Sequence, residues 1–267
     1  IKLFGVEKLW MIFLLFCIPI FCFIGIFALD IMLGWQDTRT DSTVMRIKSI
    51  SLLNYRNLRE VNMLLSPKVN CLIGSNGMGK TNLLDAIYYL SFCKSAVSPA
   101  DNTNIMHEAP FFMIQGSYVS DSDIEEEVSC GLKRGEKKSF KRNGKAYERL
   151  SDHIGSIPLV MVSPADNELI AGGSEERRRF MDVVISQYDK PYLMSLMRYN
   201  QALQSRNTLL KQDDMPDAAM LEIYEMQMAT EAEYIYARRK EFIEGFTPVF
   251  EQFYGAIAGN AEHVELH

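Results

Sequence analysis

The sequence predicts an α/β fold of the P-loop NTPase type followed by a helical second lobe. Three observations carry this. A Gly-x-x-x-x-Gly-Lys-Thr run at residues 74–81 sits between an apolar stretch and a helical pattern. Residues 46–162 alternate β-rich runs with turns, and after Pro164 the texture changes to long helical periodicity. The expected organisation is an apolar extension at residues 1–44, an ATP-binding lobe at 45–165 and a helical lobe at 166–267.

Within the extension, "LWMIFLLFCIPIFCFIGIFAL" at residues 9–29 carries no charge. At the helical rise it would span roughly 30 Å, the thickness of a bilayer core. It is longer than the usual apolar region of a signal peptide and lacks a small-residue cleavage site. Lys2 and Lys8 before it, against Arg39, Arg46 and Lys48 after it, set no orientation. The chain begins with Ile1, and Met45 stands just before the first convincing strand, "RIKSISLL". Residues 1–44 are therefore expected to be upstream read-through rather than a membrane anchor.

The lobe beginning at Met45 contains the loop. "KVNCLI", residues 68–73, is suited to a buried strand, and "TNLLDAIYYLSF" places Leu83, Leu84, Ile87, Tyr88 and Phe92 at helical spacing. Between them Gly74, Ser75, Asn76, Gly77, Met78, Gly79, Lys80, Thr81 and Asn82 form the candidate nucleotide site. The glycines let the backbone approach phosphates, and Lys80 reaches them as a point charge. The Thr81 hydroxyl is placed for Mg²⁺, and Ser75 and Asn82 line the edges. The cofactors this implies are ATP and Mg²⁺.

Beyond the loop, "FFMIQGSYV", "EEVSCGLK" and "KSFKR" read as strands, and the Asn143-Gly144 pair is a hairpin signal. The run "KRGEKKSFKRNGK" carries Lys133, Arg134, Lys137, Lys138, Lys141, Arg142 and Lys145 against a single Glu136. Alternate residues of a hairpin share a face, so such a ribbon suits tracking the phosphates of nucleic acid. A solvated edge whose lysines prevent strand pairing explains the run equally well. The acidic run "DSDIEEE" upstream is placed to neutralise it locally.

In the helical lobe, Ser174 with Glu175 and Glu176 marks a helix start, with carboxylates at the positive end of the dipole. Long helical patterns follow from about Lys190 to Lys211 and from about Pro216 to Gly245, with "QDDMPD" as the turn between antiparallel helices. Their Met and aromatic stripes read as packing surface. Arg177, Arg178 and Arg179 point in different directions on a helix; one is expected to pair with Glu175 or Asp182 and another to face solvent. "GGSEE" has the wrong residue order for an ABC signature. No internal repeat is present.

The 267 residues have a net charge of −6, so any nucleic-acid contact must come from a local basic patch. The five cysteines, Cys17, Cys22, Cys71, Cys93 and Cys130, are odd in number and lack metal-ligand spacing. They read as reduced core thiols of a cytoplasmic protein.

From Met45 onward the chain resembles the RecF family, particularly its Bacteroidetes members. The resemblance rests on "MRIKSISLLNYRNL", "GSNGMGKTNLLDAIYYLSFCKS" and "LVMVSPADNELIAGGSEERRRFMDVVISQYDKPYL", which cover nearly all of residues 45–211. It implies an ATPase head of the ABC/SMC type that binds duplex DNA near single-strand gaps, dimerises around two ATP molecules and hydrolyses ATP weakly. It also implies cooperation with RecR and RecO in loading RecA for repair and replication restart. Arg56 in "NYRNL" stands where heads of this type place a basic residue on the nucleotide. Ser163 stands near the position of their Gln. Asp166 is its candidate substitute, although an N-cap for the short "NELI" helix is the simpler role.

Two parts of such a head are not found: a strand leading into Asp-Glu, and a signature loop. Both lie toward the C-terminus in the family, so the chain is expected to be a fragment that binds nucleotide weakly. It is expected neither to turn nucleotide over well nor to form the ATP-sandwiched dimer. A membrane-attached ABC transporter ATPase is the alternative that the opening segment favours, but it predicts a Gln loop and signature. A small-metabolite kinase would need lid arginines, for which "ERRR" is weak support.

Overall fold

The computed structural model describes residues 2–5, 45–212 and 217–259. The chain divides into two compact units, one ending at Met161 and one beginning at Val162. The apolar stretch at residues 9–29 lies outside the described residues. Among the described residues, no helix is long and apolar enough to cross a membrane.

The first unit contains β1 (Lys2–Gly5), β2 (Met45–Tyr55), β3 (Leu58–Leu64), β4 (Asn70–Ile73), helix α1 (Lys80–Phe92), β5 (Phe111–Ser120), β6 (Glu125–Lys133), β7 (Ser139–Arg142) and β8 (Lys145–Ala146). An antiparallel sheet runs in the order β3-β2-β5-β6-β7-β8. Period-two alternation builds its buried face. Ile50 and Leu52 of β2, Phe112 and Ile114 of β5, and Val128, Cys130 and Leu132 of β6 are buried, whereas Phe111 and Met113 are exposed.

Helix α1 adds Leu83, Ala86, Tyr89 and Leu90 to that core. Each fully buried large apolar side chain contributes about 1.5–3 kcal/mol. Tyr55, Tyr89 and Phe112 meet edge-on with ring centroids 5.3–6.3 Å apart, tying the strands to the helix. The hairpin signal is realised: Asn143 and Gly144 have φ of 50° and 77°, and the turn they make pairs Arg142 with Lys145.

The strand before the loop departs from expectation. β4 is only half-buried, with Ile73 56% exposed and Val69, just before the strand, 44% exposed. It lies outside the large sheet and pairs antiparallel with β1, Ile73 opposite Lys2. Its apolar sequence is that of a buried strand; a single four-residue neighbour does not bury it.

The second unit contains α2 (Glu168–Ala171), α3 (Ser174–Tyr188), α4 (Lys190–Leu210) and α5 (Ala218–Ala258). Asp189 closes α3 and caps α4, accepting from the Tyr192 N–H at 2.9 Å. α4 and α5 run antiparallel, as ion pairs record: Asp189 with Arg238 at 2.8 Å, Arg198 with Glu231 at 2.8 Å, and Arg206 with Glu225 at 2.9 Å. Of the expected turn "QDDMPD", residues 213–216 lie outside the described residues. Asp217 caps α5 by accepting from the Ala219 N–H at 2.9 Å.

Three expectations are corrected here. Helix α5 continues past Gly245, through Pro248, to Ala258. The rings of Phe242, Phe246, Phe250 and Tyr254 stack at four-residue spacing, 5.6–5.9 Å apart, on both sides of the proline and hold the helix together. Asp166 does not cap the "NELI" helix; its carboxylate accepts from the Ser163 N–H, and Asn167 is the cap residue.

Asp182 pairs with none of the three consecutive arginines. It accepts two bonds of 2.9 Å from Arg239, whose rigid fork suits a carboxylate. Arg177 instead donates to the Leu169 and Gly172 carbonyls, Arg178 to the Ser174 hydroxyl, and Arg179 lies 3.8 Å from Glu176. Helix α3 begins at Ser174 as expected, with Gly173 rather than Ser174 as its cap residue.

Candidate nucleotide-binding site

The site forms where the turn between β2 and β3 meets the loop between β4 and α1. Asn54 and Arg56 adopt left-handed backbone, φ 54° and 53°, which bends the chain sharply around Tyr55. The Arg56 N–H donates to the Asn104 carbonyl at 2.8 Å, fixing the turn to the segment before β5.

The Arg56 side chain is 16% exposed and fully engaged. Nε donates to Asn104 Oδ1 at 3.0 Å, and the two terminal nitrogens to Asn82 Oδ1 at 3.3 Å and Ser95 Oγ at 2.9 Å. The latter nitrogen also lies 3.2 Å from the Asp85 carboxylate.

Asp85 is completely buried in α1. A buried carboxylate costs several kcal/mol unless it is paired and its oxygens filled. Here Tyr55 donates its hydroxyl at 2.7 Å, Ser95 donates at 2.8 Å and the Ala96 N–H at 2.8 Å, alongside the Arg56 charge. Burial, reinforced by the Asp85 charge, pushes the Tyr55 phenol far above its ordinary range, so it remains a donor.

The loop rests on this hub. Gly74, Ser75, Asn76, Gly77 and Met78 are exposed. Gly77 and Gly79 are left-handed, φ 79° and 92°, as side-chain-bearing residues rarely are. A Cβ on Gly79 would also lie 2.5 Å from Leu58 Cδ2 and 2.7 Å from Asn57 Oδ1. Gly74 meets no such restriction, its nearest neighbour being Met78 Cβ at 4.0 Å. The fold itself therefore does not demand a glycine there, and its bare backbone leaves open space for a ligand.

Helix α1 starts at Lys80 with no side-chain cap and no acidic residue in its first turn. Its free N–H groups and the positive end of its dipole are open to an anion. Lys80 Nζ bridges the Gly74 and Ser75 carbonyls at 2.6 and 2.9 Å. Thr81 is exposed beside it. Asn82 Nδ2 donates to Asn57 Oδ1 at 2.8 Å, and Asn57 Nδ2 donates to the Gly77 carbonyl at 2.7 Å. This donor set fits a polyphosphate. Among the described residues no cluster of three or more His, Cys, Asp or Glu is placed to hold a metal.

The sequence reading missed Asn57, Asp85, Ser95 and Asn104. Asp85 had a signal, a charge within the apolar stripe of "LLDAIYYL". Ser95 and Asn104 had none, because their roles arise from tertiary contacts with Arg56.

The structure does not bring the seven basic residues of the hairpin to one face. Lys133 pairs with Glu136 at 2.6 Å, and Arg134 donates to the Ala109 and Met106 carbonyls at 3.0 and 3.4 Å. Lys138 donates to the Cys93 carbonyl at 2.6 Å and to Asp101 at 2.8 Å, and Arg142 holds Glu126 with two bonds of 2.7 Å. Lys137, Lys141 and Lys145 are exposed and have no ion pair among the described residues.

Residues 45–239 match the family model described as the AAA ATPase domain. The chain belongs to that family. Its curated relatives include the DNA replication and repair protein RecF of Phocaeicola vulgatus, 60% identical over 83% of this chain and 60% of the relative. RecF of Bacteroides fragilis is 58% identical with the same coverage. A solved structure of the recombination mediator protein RecF with ATP, in the RecFOR pathway, superposes with a TM-score of 0.75 at 29% identity. The match covers 86% of this chain and 64% of that one.

The RecF resemblance and the P-loop ATPase fold read from the sequence are thus borne out. The transporter alternative is not favoured. The chain spans about three fifths of the length of the curated relatives it matches.

Proposed function

We propose that the chain binds ATP at the Gly74–Asn82 loop and acts as a RecF-like, ATP-dependent DNA-binding protein of recombinational repair and replication restart. The observation that carries this is the union of the loop's geometry with identity as high as 60% to proteins named RecF. When bound, ATP supplies a polyphosphate whose charge the site neutralises. The loop amides and the open N-terminus of α1 would receive the phosphate oxygens, and Lys80 would exchange the Gly74 and Ser75 carbonyls for them. Thr81 would hold Mg²⁺ through its hydroxyl. Arg56, positioned by Asp85, Ser95 and Asn104, faces the nucleotide side of α1 through Asn82.

The whole protein would bind duplex DNA near single-strand gaps, dimerise around ATP, and help RecO and RecR load RecA in the cytoplasm. Supporting this are its similarity to proteins named RecF and the RecFOR setting of the solved RecF structure. The exposed Lys137, Lys141 and Lys145 are the hairpin residues free to meet DNA phosphates. Binding of a fluorescent ATP analogue to the chain and to its Lys80→Met variant tests the reading. A loss of at least tenfold is expected; no binding by the unaltered chain, or equal binding by both, overturns it.

A further inference from the structure

We propose that Asn57 is a positioning residue that presets the phosphate-binding loop. The inference rests on the nucleotide-binding reading above. A trans peptide points its C=O and the following N–H in opposite directions. By donating Nδ2 to the Gly77 carbonyl at 2.7 Å, Asn57 draws that carbonyl toward the β2–β3 turn. The Met78 N–H is thereby turned away from the turn, to the side where a phosphate oxygen can accept it.

The other end of the same carboxamide accepts from Asn82 Nδ2 at 2.8 Å, so Asn57 ties the tip of the loop to the first turn of α1. Gly79 lets this happen, because Asn57 Oδ1 lies where a Cβ would reach within 2.7 Å. The turn carrying Asn57 is itself fixed by left-handed Asn54 and Arg56 and by the Arg56 N–H on the Asn104 carbonyl, at 2.8 Å. Asn57 is exposed, and the described core gains nothing from it. Its contacts serve the loop.

Asn57→Ala removes both bonds. Asn57→Asp keeps the acceptor for Asn82 but sets an oxygen against the Gly77 carbonyl. Affinity for a fluorescent ATP analogue is measured on the 267-residue chain and both variants, with inorganic tripolyphosphate as competitor and melting as the control for folding. Both variants are expected to lose about tenfold, equally for ATP and for tripolyphosphate, because the defect lies in the loop and not at the base. Unchanged affinity in either folded variant, or a loss confined to ATP, overturns the inference while leaving nucleotide binding intact. If Asn57→Ala does not fold, Asn57→Asp decides. Absence of binding by the unaltered chain overturns nucleotide binding, and this inference with it.

Discussion

Gly79 combines two constraints that act at one atom. Its φ of 92° strains any side chain, and a Cβ would collide with Leu58 and Asn57. Gly79→Ala is expected to cost about 2–4 kcal/mol, visible as a lowered melting temperature, from strain and overpacking together. Asp85 sets a second constraint. Replacing it with Ala strands the Arg56 charge and the Tyr55 hydroxyl in the interior, which should cost about 3–5 kcal/mol in a denaturant titration.

Lys138 separates structure from surface among the basic residues. Its side chain is 18% exposed, and the ammonium sits between the Cys93 carbonyl, at the C-terminal end of α1, and Asp101. Lys138→Glu is expected to lower the melting temperature, while Lys137→Glu, at an exposed site, leaves it unchanged.

At the scale of elements, α5 shows how packing overrides local preference. A proline inside a helix loses one hydrogen bond and costs about 3 kcal/mol relative to alanine. The helix nonetheless passes through Pro248 because Phe242, Phe246, Phe250 and Tyr254 form one stack, with Phe180 of α3 against its first two rings. Pro248→Ala is expected to stabilise the helical unit by about 1–3 kcal/mol, read from its thermal unfolding by circular dichroism.

The α4–α5 pairing also carries a pH signature. Hydrogen bonding from Arg198 holds Glu231 below its ordinary carboxylate range. The unfolded chain therefore binds the proton more readily, and this contribution, present above about pH 4, is lost as pH falls. Glu231→Gln should flatten the acid limb of the stability curve.

At the scale of the whole molecule, a net charge of −6 means that any contact with duplex DNA must come from a local basic patch. Reversing Lys137, Lys141 and Lys145 to Glu together should weaken duplex binding regardless of sequence. Because the register sets Lys141 and Lys145 on opposite faces of the hairpin, the same change should flatten the dependence of log affinity on log salt by about 1–2, at nearly one counterion per phosphate contact. An unchanged slope would remove the hairpin from the DNA-binding surface.

By itself, the sequence determined the local chemistry. The loop with its flanking strand and helix, the Asn143-Gly144 hairpin and the antiparallel helices were legible because each depends on residues close in the chain. What only the tertiary structure decided is how distant groups share charge and space. It showed that Arg56 is held by Asp85, Ser95 and Asn104, that Asn57 braces the loop, and that four of the seven hairpin basic residues already have internal partners. It also gave β4 a single short neighbour and carried α5 through Pro248. Periodicity reports which face of an element is apolar; it does not report which residue from elsewhere will satisfy a buried charge or stack beside a helix-breaking residue.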